Sequence, residues 1–152
     1  MPLLLILLAM WAGNASAGGQ AMWTASAVGP VVAQRGVRVL SPLLKPREKV
    51  SGSITLVAWR YSSSAPMPVA GEVKLCAAGR CIALDGASGA TRELAGAEAG
   101  EPLRLVWYLP GAGRLVKPWR ITGIQVIVNY APRPELAASG LWRDGKERYG
   151  RK

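Results

Sequence analysis

The stretch from Glu72 to Gly86 contains both cysteines and constrains the fold of this chain more than any other part of it. Cys76 and Cys81 are separated by four residues and are flanked by apolar residues suited to strands. A loop of this length, carrying Gly79 and Arg80, is typical of a β-hairpin. Residues facing each other across such a hairpin have Cβ atoms about 4.5–5.5 Å apart, which is close to what a disulfide requires. The spacing therefore predicts a hairpin stapled by a disulfide, with two buried, reduced cysteines as the alternative.

Other cysteine chemistry fits this spacing poorly. The chain has no histidine and no third cysteine with which to complete a tetrahedral zinc site. The spacing also differs from the C-x-x-C of redox proteins. Closing so short a loop contributes about 2 kcal/mol, so the disulfide is expected to fix the register of the hairpin rather than to support the whole fold. We expect neither a metal nor a cofactor.

The N-terminal residues predict export to an oxidising compartment, where a disulfide can persist. An apolar run from Leu3 to Leu8 leads to Ala15-Ser16-Ala17, which has the small residues of a cleavage site. We therefore expect residues 1–17 to be a signal peptide. The run is shorter than the about 20 residues that cross a bilayer. No Lys or Arg precedes it, so a weak signal, a start further upstream and an uncleaved anchor are the alternatives.

The charge balance is strongly basic, with 19 Lys and Arg against 9 Asp and Glu and a net charge of +10. Basic proteins often bind nucleic acid, but an exported protein meets little of it, so we expect no nucleic-acid partner. Acidic cell-envelope material or an acidic protein surface is the expected partner. A solvated, functionally neutral surface is the alternative.

Alternating apolar residues predict strands along most of the remaining chain. Short strands are expected at 31–32 and 37–40, and the longest runs from Val50 to Tyr61. Both faces of this longest strand are fairly apolar, which favours a central position. Its alternation places Ile54, Leu56 and Ala58 on one face and Thr55, Val57, Trp59 and Tyr61 on the other.

Two further strands have a clear apolar face, and together these segments predict the fold class. Their inward residues are expected to be Leu103, Leu105, Trp107 and Leu109 in one strand and Ile124, Val126, Val128 and Tyr130 in the other. Many short strands without an amphipathic helix predict an all-β, antiparallel β-sandwich, immunoglobulin-like or jelly-roll-like, over residues 18–131. Residues 132–152 form a basic tail that we expect to be disordered, with a short anchor through Leu141-Trp142 as the alternative.

Enzymatic chemistry has little support in the sequence. Without histidine the chain lacks the commonest general base and nucleophile partner. Its carboxylates fall mostly in expected turns and in the tail, so no facing pair of the kind used by glycosidases is expected. The glycines of Pro110–Arg114 lack the Lys-Ser/Thr ending of a phosphate-binding loop and are expected to form a turn between strands. We therefore expect a binding protein rather than an enzyme.

Five residues are candidates for binding. Arg80 lies at the end of the stapled hairpin, where a rigid loop could present it to a partner. Trp59, Arg60 and Tyr61 could form an aromatic platform for sugars or a cation–π cluster, and Arg114 closes the glycine-containing turn. The alternatives are a solvated turn residue for Arg80 and strand packing for the aromatic residues.

Several separated motifs resemble the flagellar protein FlhE family, and they occur in the order of that family. They are Val50–Tyr61, Leu75-Cys76, Arg80-Cys81, Leu84–Gly86, Glu101–Trp107, Pro110–Leu115 and Gln125–Tyr130. The resemblance implies a periplasmic β-sandwich protein without enzymatic activity, encoded with the flagellar type III export apparatus. It also implies a role in flagellar assembly, either limiting proton leakage through the export gate or acting as a chaperone for rod components. The cysteine pair, Cys76 and Cys81, is what the resemblance transfers by position.

Two functional hypotheses follow. The first is a non-catalytic periplasmic accessory protein of flagellum assembly that binds rod or export-gate proteins through a sheet edge or a loop; a homodimer is a further expected state. The second is a carbohydrate-binding module that holds peptidoglycan with Trp59, Tyr61 or Trp107. An exposed row of aromatic residues would favour the second hypothesis, and burial of all three would exclude it.

Overall fold

The computed structural model describes residues 19–134, and this part of the chain consists of strands and the turns that connect them. The strands are β1 (Ala21–Ala27), β2 (Val31–Gln34), β3 (Arg38–Leu40), β4 (Gly52–Ser63), β5 (Glu72–Ala77), β6 (Arg80–Ala83), β7 (Ser88–Thr91), β8 (Leu103–Tyr108) and β9 (Arg114–Pro132). Among residues 19–134 there is no helix of the length and apolar character that would cross a membrane.

The strands form two antiparallel sheets. The first sheet has the order β1-β9-β4-β7, and β2 also pairs with β9. The second sheet has the order β3-β8-β5-β6. The predicted antiparallel β-sandwich is thus confirmed. β4 lies between β9 and β7, as the two apolar faces of its sequence predicted.

The core lies between the sheets and contains the residues that alternation marked as inward. Leu103, Leu105 and Trp107 of β8 are fully buried, and Val126 and Val128 of β9 face them from the first sheet. The period of two along a strand sends every second side chain into this core. The inward faces predicted for these two strands are therefore confirmed.

The predicted faces of β4 are wrong at Ile54. Ile54 is buried together with Val57, Trp59 and Tyr61, although an unbroken alternation would place it on the opposite face from them. The cause is a β-bulge: the pairing of β4 with β9 shifts register between Ile54 and Leu56. An extra residue in one strand reverses the phase of the alternation beyond it, so both parts of β4 bury apolar side chains.

Two strands differ in extent from their predicted segments. β1 falls in a segment for which no strand was predicted, and it pairs along its whole length with β9. β9 begins at Arg114 rather than near Ile121, because its first part pairs with β2 and its second part pairs with β1 and β4. This long strand therefore joins most of the first sheet.

Three tryptophans tie loops to the core through their indole N–H groups. Trp23 donates to the carbonyl of Ala99 (2.8 Å), Trp119 to that of Ala65 (2.8 Å) and Trp59 to that of Gly86 (3.2 Å). The indole of Trp107 packs edge-on with Tyr61, at 5.7 Å between ring centroids, and its buried Nε1 has no hydrogen-bond partner among the described residues.

The predicted signal peptide, residues 1–17, lies outside the described residues, and so does the tail from residue 135 onward. At the domain end, β9 continues through Pro132, and Arg133 donates its backbone N–H to the carbonyl of Ser51. The first residues assigned to the tail are therefore part of the sandwich.

Candidate functional site

β1 forms one edge of the first sheet and carries no charge. Its sequence, Ala-Met-Trp-Thr-Ala-Ser-Ala, pairs with β9 on one side, and no other strand of residues 19–134 pairs with it on the other. Natural edge strands are usually protected by charged residues, proline, bulges or short length. β1 has seven residues, an uninterrupted register with β9 and none of these protections.

The backbone groups of Met22, Thr24 and Ser26 point away from β9. The N–H of Tyr61 in β4 bonds to Ala87 rather than to β9, so Ile124, which is paired with Tyr61, directs its own backbone groups toward β1. Ile124 is paired with Ala27. Since hydrogen-bonded and non-hydrogen-bonded pairs alternate in an antiparallel ladder, every second residue before Ala27 also bonds to β9. Met22, Thr24 and Ser26 lie between these bonded residues and therefore present free N–H and C=O groups at the edge.

A groove runs along this edge. It has a volume of about 750 Å³ and lies between β1 and the loop that leads from β3 to β4. The loop side combines apolar residues, Leu43 and Val50, with three exposed charged residues, Lys45, Arg47 and Glu48. A neighbouring strand in a sheet lies about 4.8 Å away, and residues 22–26 of β1 line the groove, so a strand added to this edge would lie beside it.

The edge is held in place from inside the sandwich. The indole of Trp23, at the middle of β1, is buried and hydrogen-bonded to Ala99. The segment around Ala99 is itself fastened by Glu98, whose carboxylate accepts the N–H of Gly52 (3.2 Å) and an Arg133 guanidinium hydrogen bond (3.1 Å). These two contacts lower the pKa of Glu98, and the Gly52 hydrogen bond contributes most. β1 is therefore anchored to the interior of the sandwich.

The stapled hairpin lies at the far end of the other sheet. Cys76 and Cys81 form a disulfide and are direct partners in the β5–β6 ladder, with Cα atoms 4.1 Å apart. The turn is shorter than expected, because Ala77 and Arg80 also pair and only Ala78-Gly79 remains in the loop. Both loop residues have positive φ, 49° and 78°, as a two-residue type I′ turn requires. Arg80 is exposed and donates a hydrogen bond to the carbonyl of Glu93.

The aromatic platform predicted from Trp59 and Tyr61 is not formed. Trp59 is 7% exposed, Tyr61 6% and Trp107 0%. Burial also raises the pKa of the Tyr61 hydroxyl. Their side chains alternate toward the core on β4 and β8, because the apolar faces of these strands pack against each other. The carbohydrate-binding hypothesis required these aromatic side chains on the surface. Their burial shows that it is wrong.

The remaining candidates are exposed but lie apart. Arg60 is on the outer face of the first sheet and donates to the side chain of Gln125 (3.0 Å). Arg114 is at the start of β9, after the turn expected between strands, and pairs with Gln34. The predicted binding residues thus do not converge on one site. Among residues 19–134, no three Cys, Asp or Glu side chains are grouped so that they could hold a metal ion.

The β1 edge escaped sequence reasoning because its residues are small and weakly patterned. Only Met22 and Trp23 are large, and the other residues are alanine, serine and threonine. One feature of the sequence could have indicated this edge. The chain is rich in arginine and proline, but the seven residues of β1 contain neither a charge nor a proline, and they include one tryptophan.

Comparison with known proteins gives a consistent result. The family model described as "Flagellar protein FlhE" matches residues 29–131, a range that begins just after β1. A relative named "Flagellar protein FlhE" from Escherichia coli (strain K12) is 46% identical over 114 residues, covering 75% of this chain and 88% of the relative. A protein of the same name from Yersinia enterocolitica is 37% identical over 120 residues, covering 77% and 84%.

A solved structure agrees with these relatives. The structure titled "Crystal Structure of FLHE" matches with a TM-score of 0.71 and 46% sequence identity, covering 74% of this chain and 97% of that one. At 46% identity, the two proteins share this fold because they are related.

Proposed function

This chain belongs to the flagellar protein FlhE family, and we propose that it is a non-catalytic accessory protein of flagellum assembly that binds extended segments of other flagellar proteins along β1. The observation that carries this proposal is the uncharged, unpaired edge of β1 with the groove beside it. Strand addition uses main-chain hydrogen bonds for affinity and alternate side chains for specificity. Three residues of β1 offer both backbone groups to such a strand.

In this proposal, the protein acts in the periplasm. The Cys76–Cys81 disulfide fits an exported protein, as does the apolar N-terminal run of the sequence. Rod and export-gate proteins are the expected partners. A subunit that has left the export apparatus but has not yet polymerised exposes segments that lack their final partners. Covering such a segment would limit improper assembly, and binding beside the gate would limit proton leakage.

A photocrosslinking amino acid placed at Thr24, in cells assembling flagella, tests the binding surface. Thr24 is exposed on β1 and its backbone faces the groove. The matched control is Ala83, an exposed residue at the edge of the second sheet. We expect a rod or export-gate protein to be captured from Thr24 and not from Ala83. Capture of a second copy of this chain would indicate the homodimer, and capture of flagellar proteins only from Ala83 would overturn the role of β1.

The substitution Thr24→Pro tests strand addition itself. The N–H of Thr24 points away from β9, so proline removes a donor from the edge and leaves the β1–β9 ladder intact. Losing one main-chain hydrogen bond and adding a ring at the edge should weaken partner binding on the order of tenfold. Thr24→Val keeps the N–H and serves as the control. Equal partner binding by both variants in a periplasmic pull-down would reject strand addition.

A further inference from the structure

Two segments of the chain carry an exposed valine between cations, and the binding edge does not use either of them. One is Arg35-Gly36-Val37-Arg38, in the connection from β2 to β3. The other is Arg114-Leu115-Val116-Lys117, at the start of β9. The first lies where the chain passes from the first sheet to the second, and the second lies just after the chain has passed back from β8 to β9.

Hydrogen bonds hold the first segment against the connection from β8 that leads directly into the second segment. The N–H of Arg35 donates to the carbonyl of Gly113 (2.9 Å), and the N–H of Gly36 donates to that of Leu109 (2.7 Å). Gln34 and Arg114 are paired in the β2–β9 ladder. The Arg35 guanidinium adds a hydrogen bond to the carbonyl of Pro110 (3.3 Å). Residues 35–38 and 114–117 therefore form one surface at the end of the molecule, which we call the cationic tip.

A bulge makes the tip project. Val32 pairs with Trp119 and Gln34 with Arg114, so the four residues Leu115–Pro118 lie opposite the single residue Ala33. Bulges redirect side chains and recur where a strand serves a function. Here the bulge leaves Val116 fully exposed, at 106%, while Val37 is 46% exposed. Neither valine is among the apolar residues that form the core or pack against it.

The cations of the tip are not neutralised by the sandwich. The one salt bridge within residues 19–134 joins Arg133 to Glu98, so Arg35, Arg38, Arg114 and Lys117 have no ion-pair partner among these residues. The nearest acid by register is Glu72, which shares the partner Tyr108 with Arg38. The tip therefore carries four cations around two exposed valines.

We propose that the cationic tip docks this protein on an anionic membrane surface. The arginines and the lysine contact lipid phosphates, and Val116 and Val37 enter the headgroup region. Exposed apolar side chains flanked by cations are the combination that peripheral membrane proteins use, whereas a stable protein interface needs a larger buried apolar centre than two valines provide. β1 pairs with a later part of β9, residues 124–130, so its edge stays open when the tip is docked.

Co-sedimentation of the purified protein with lipid vesicles tests this proposal. One set of vesicles contains phosphatidylglycerol with phosphatidylethanolamine, and the other contains phosphatidylcholine alone. We expect binding to the first set only, declining as salt is added. Each cation near an anionic surface contributes about fivefold to partitioning, so Arg114→Glu with Lys117→Glu should reduce it about 25-fold or more. Val116→Asp should also reduce binding, and Val116→Ile should preserve it.

The control variant carries the same change in net charge elsewhere. Arg92→Glu with Lys74→Glu alters two exposed cations outside the tip, and we expect much weaker effects from it. An equal loss in the control would mean that only net charge matters and would overturn the proposal. Unchanged binding by Val116→Asp would overturn the part of the proposal in which Val116 enters the headgroup region. Binding to polyglutamate without binding to either vesicle set would assign the tip to an acidic protein instead.

Discussion

One edge of the first sheet is β1 and one edge of the second sheet is β6, and these two edges are stabilised in different ways. β6 has four residues, is covalently joined to β5, and begins with Arg80. β1 has seven residues, carries no charge and is fixed by the hydrogen bond of one buried indole. A short, charged, cross-linked edge resists pairing with other chains, whereas a long neutral edge favours it. The comparison indicates that the molecule protects the β6 edge and leaves the β1 edge available.

Replacing Trp23 by alanine should have the largest effect on this contrast. The substitution removes a large core side chain and the hydrogen bond to Ala99, so we expect a loss of about 3–5 kcal/mol in the free energy of unfolding. Urea denaturation measures it. Met22→Ala changes an exposed neighbour on the same strand, and we expect it to stay within about 0.5 kcal/mol of the wild type. A loss below about 1 kcal/mol for Trp23→Ala would mean that β1 is held by its ladder alone.

Removing the disulfide should have a smaller and more local effect. Cys76→Ala with Cys81→Ala should lower the free energy of unfolding by about 2 kcal/mol, because the closed loop is short. Hydrogen exchange should show faster exchange in β6 and unchanged protection in β1. If β1 lost protection to the same extent, the two edges would not be independent.

A single substitution in the hairpin turn should strengthen the β6 edge. Ala78 has a φ of 49°, a conformation that costs a residue with a Cβ roughly 1 kcal/mol and that asparagine tolerates better. Ala78→Asn creates the Asn-Gly pair favoured in two-residue hairpins. We expect stabilisation of about 0.5–1 kcal/mol by thermal or urea unfolding. Ala83→Asn, on an exposed part of β6, is the control and should not stabilise.

The smallest predicted effect is a pH dependence near the β1 edge. The pKa of Glu98 is lowered in the folded state, so its contribution to stability is present above the ordinary glutamate pKa. That contribution is lost as the pH falls through the lowered value. Glu98→Gln should therefore flatten the acid side of the stability profile. A parallel loss of stability in the wild type and Glu98→Gln as the pH falls below the ordinary glutamate pKa would contradict this role.

Sequence patterns predicted the parts of the fold that depend on local periodicity. The alternation in β8 and in the second half of β9 was sufficient, because each strand has one strongly apolar face. The disulfide was also predictable, since Cys76 and Cys81 meet through a local hairpin. The bulge in β4 was not, because an extra residue leaves no mark in composition and shows only in pairing with β9.

The functional surfaces were harder to predict for a related reason. An edge is defined by the absence of a neighbouring strand, which depends on the order of all strands in the sheet rather than on the residues of β1. The binding residues proposed from chemistry were chosen by type, and the fold buried Trp59 and Tyr61. Arg114 is exposed, but its position beside the segment that follows β2 depends on its pairing with Gln34, which is distant in the sequence.

The length of β9 affects the order in which the chain can fold. β1, β2 and β4 all pair with residues 114–132, so the first sheet cannot be completed until β9 is available. The β5–β6 hairpin needs only local residues, so it can form and be oxidised earlier. We therefore expect the hairpin to form before the first sheet is complete, because non-local pairing is slow. The protein would itself be exposed to aggregation at this stage, as are other proteins whose strands await distant partners.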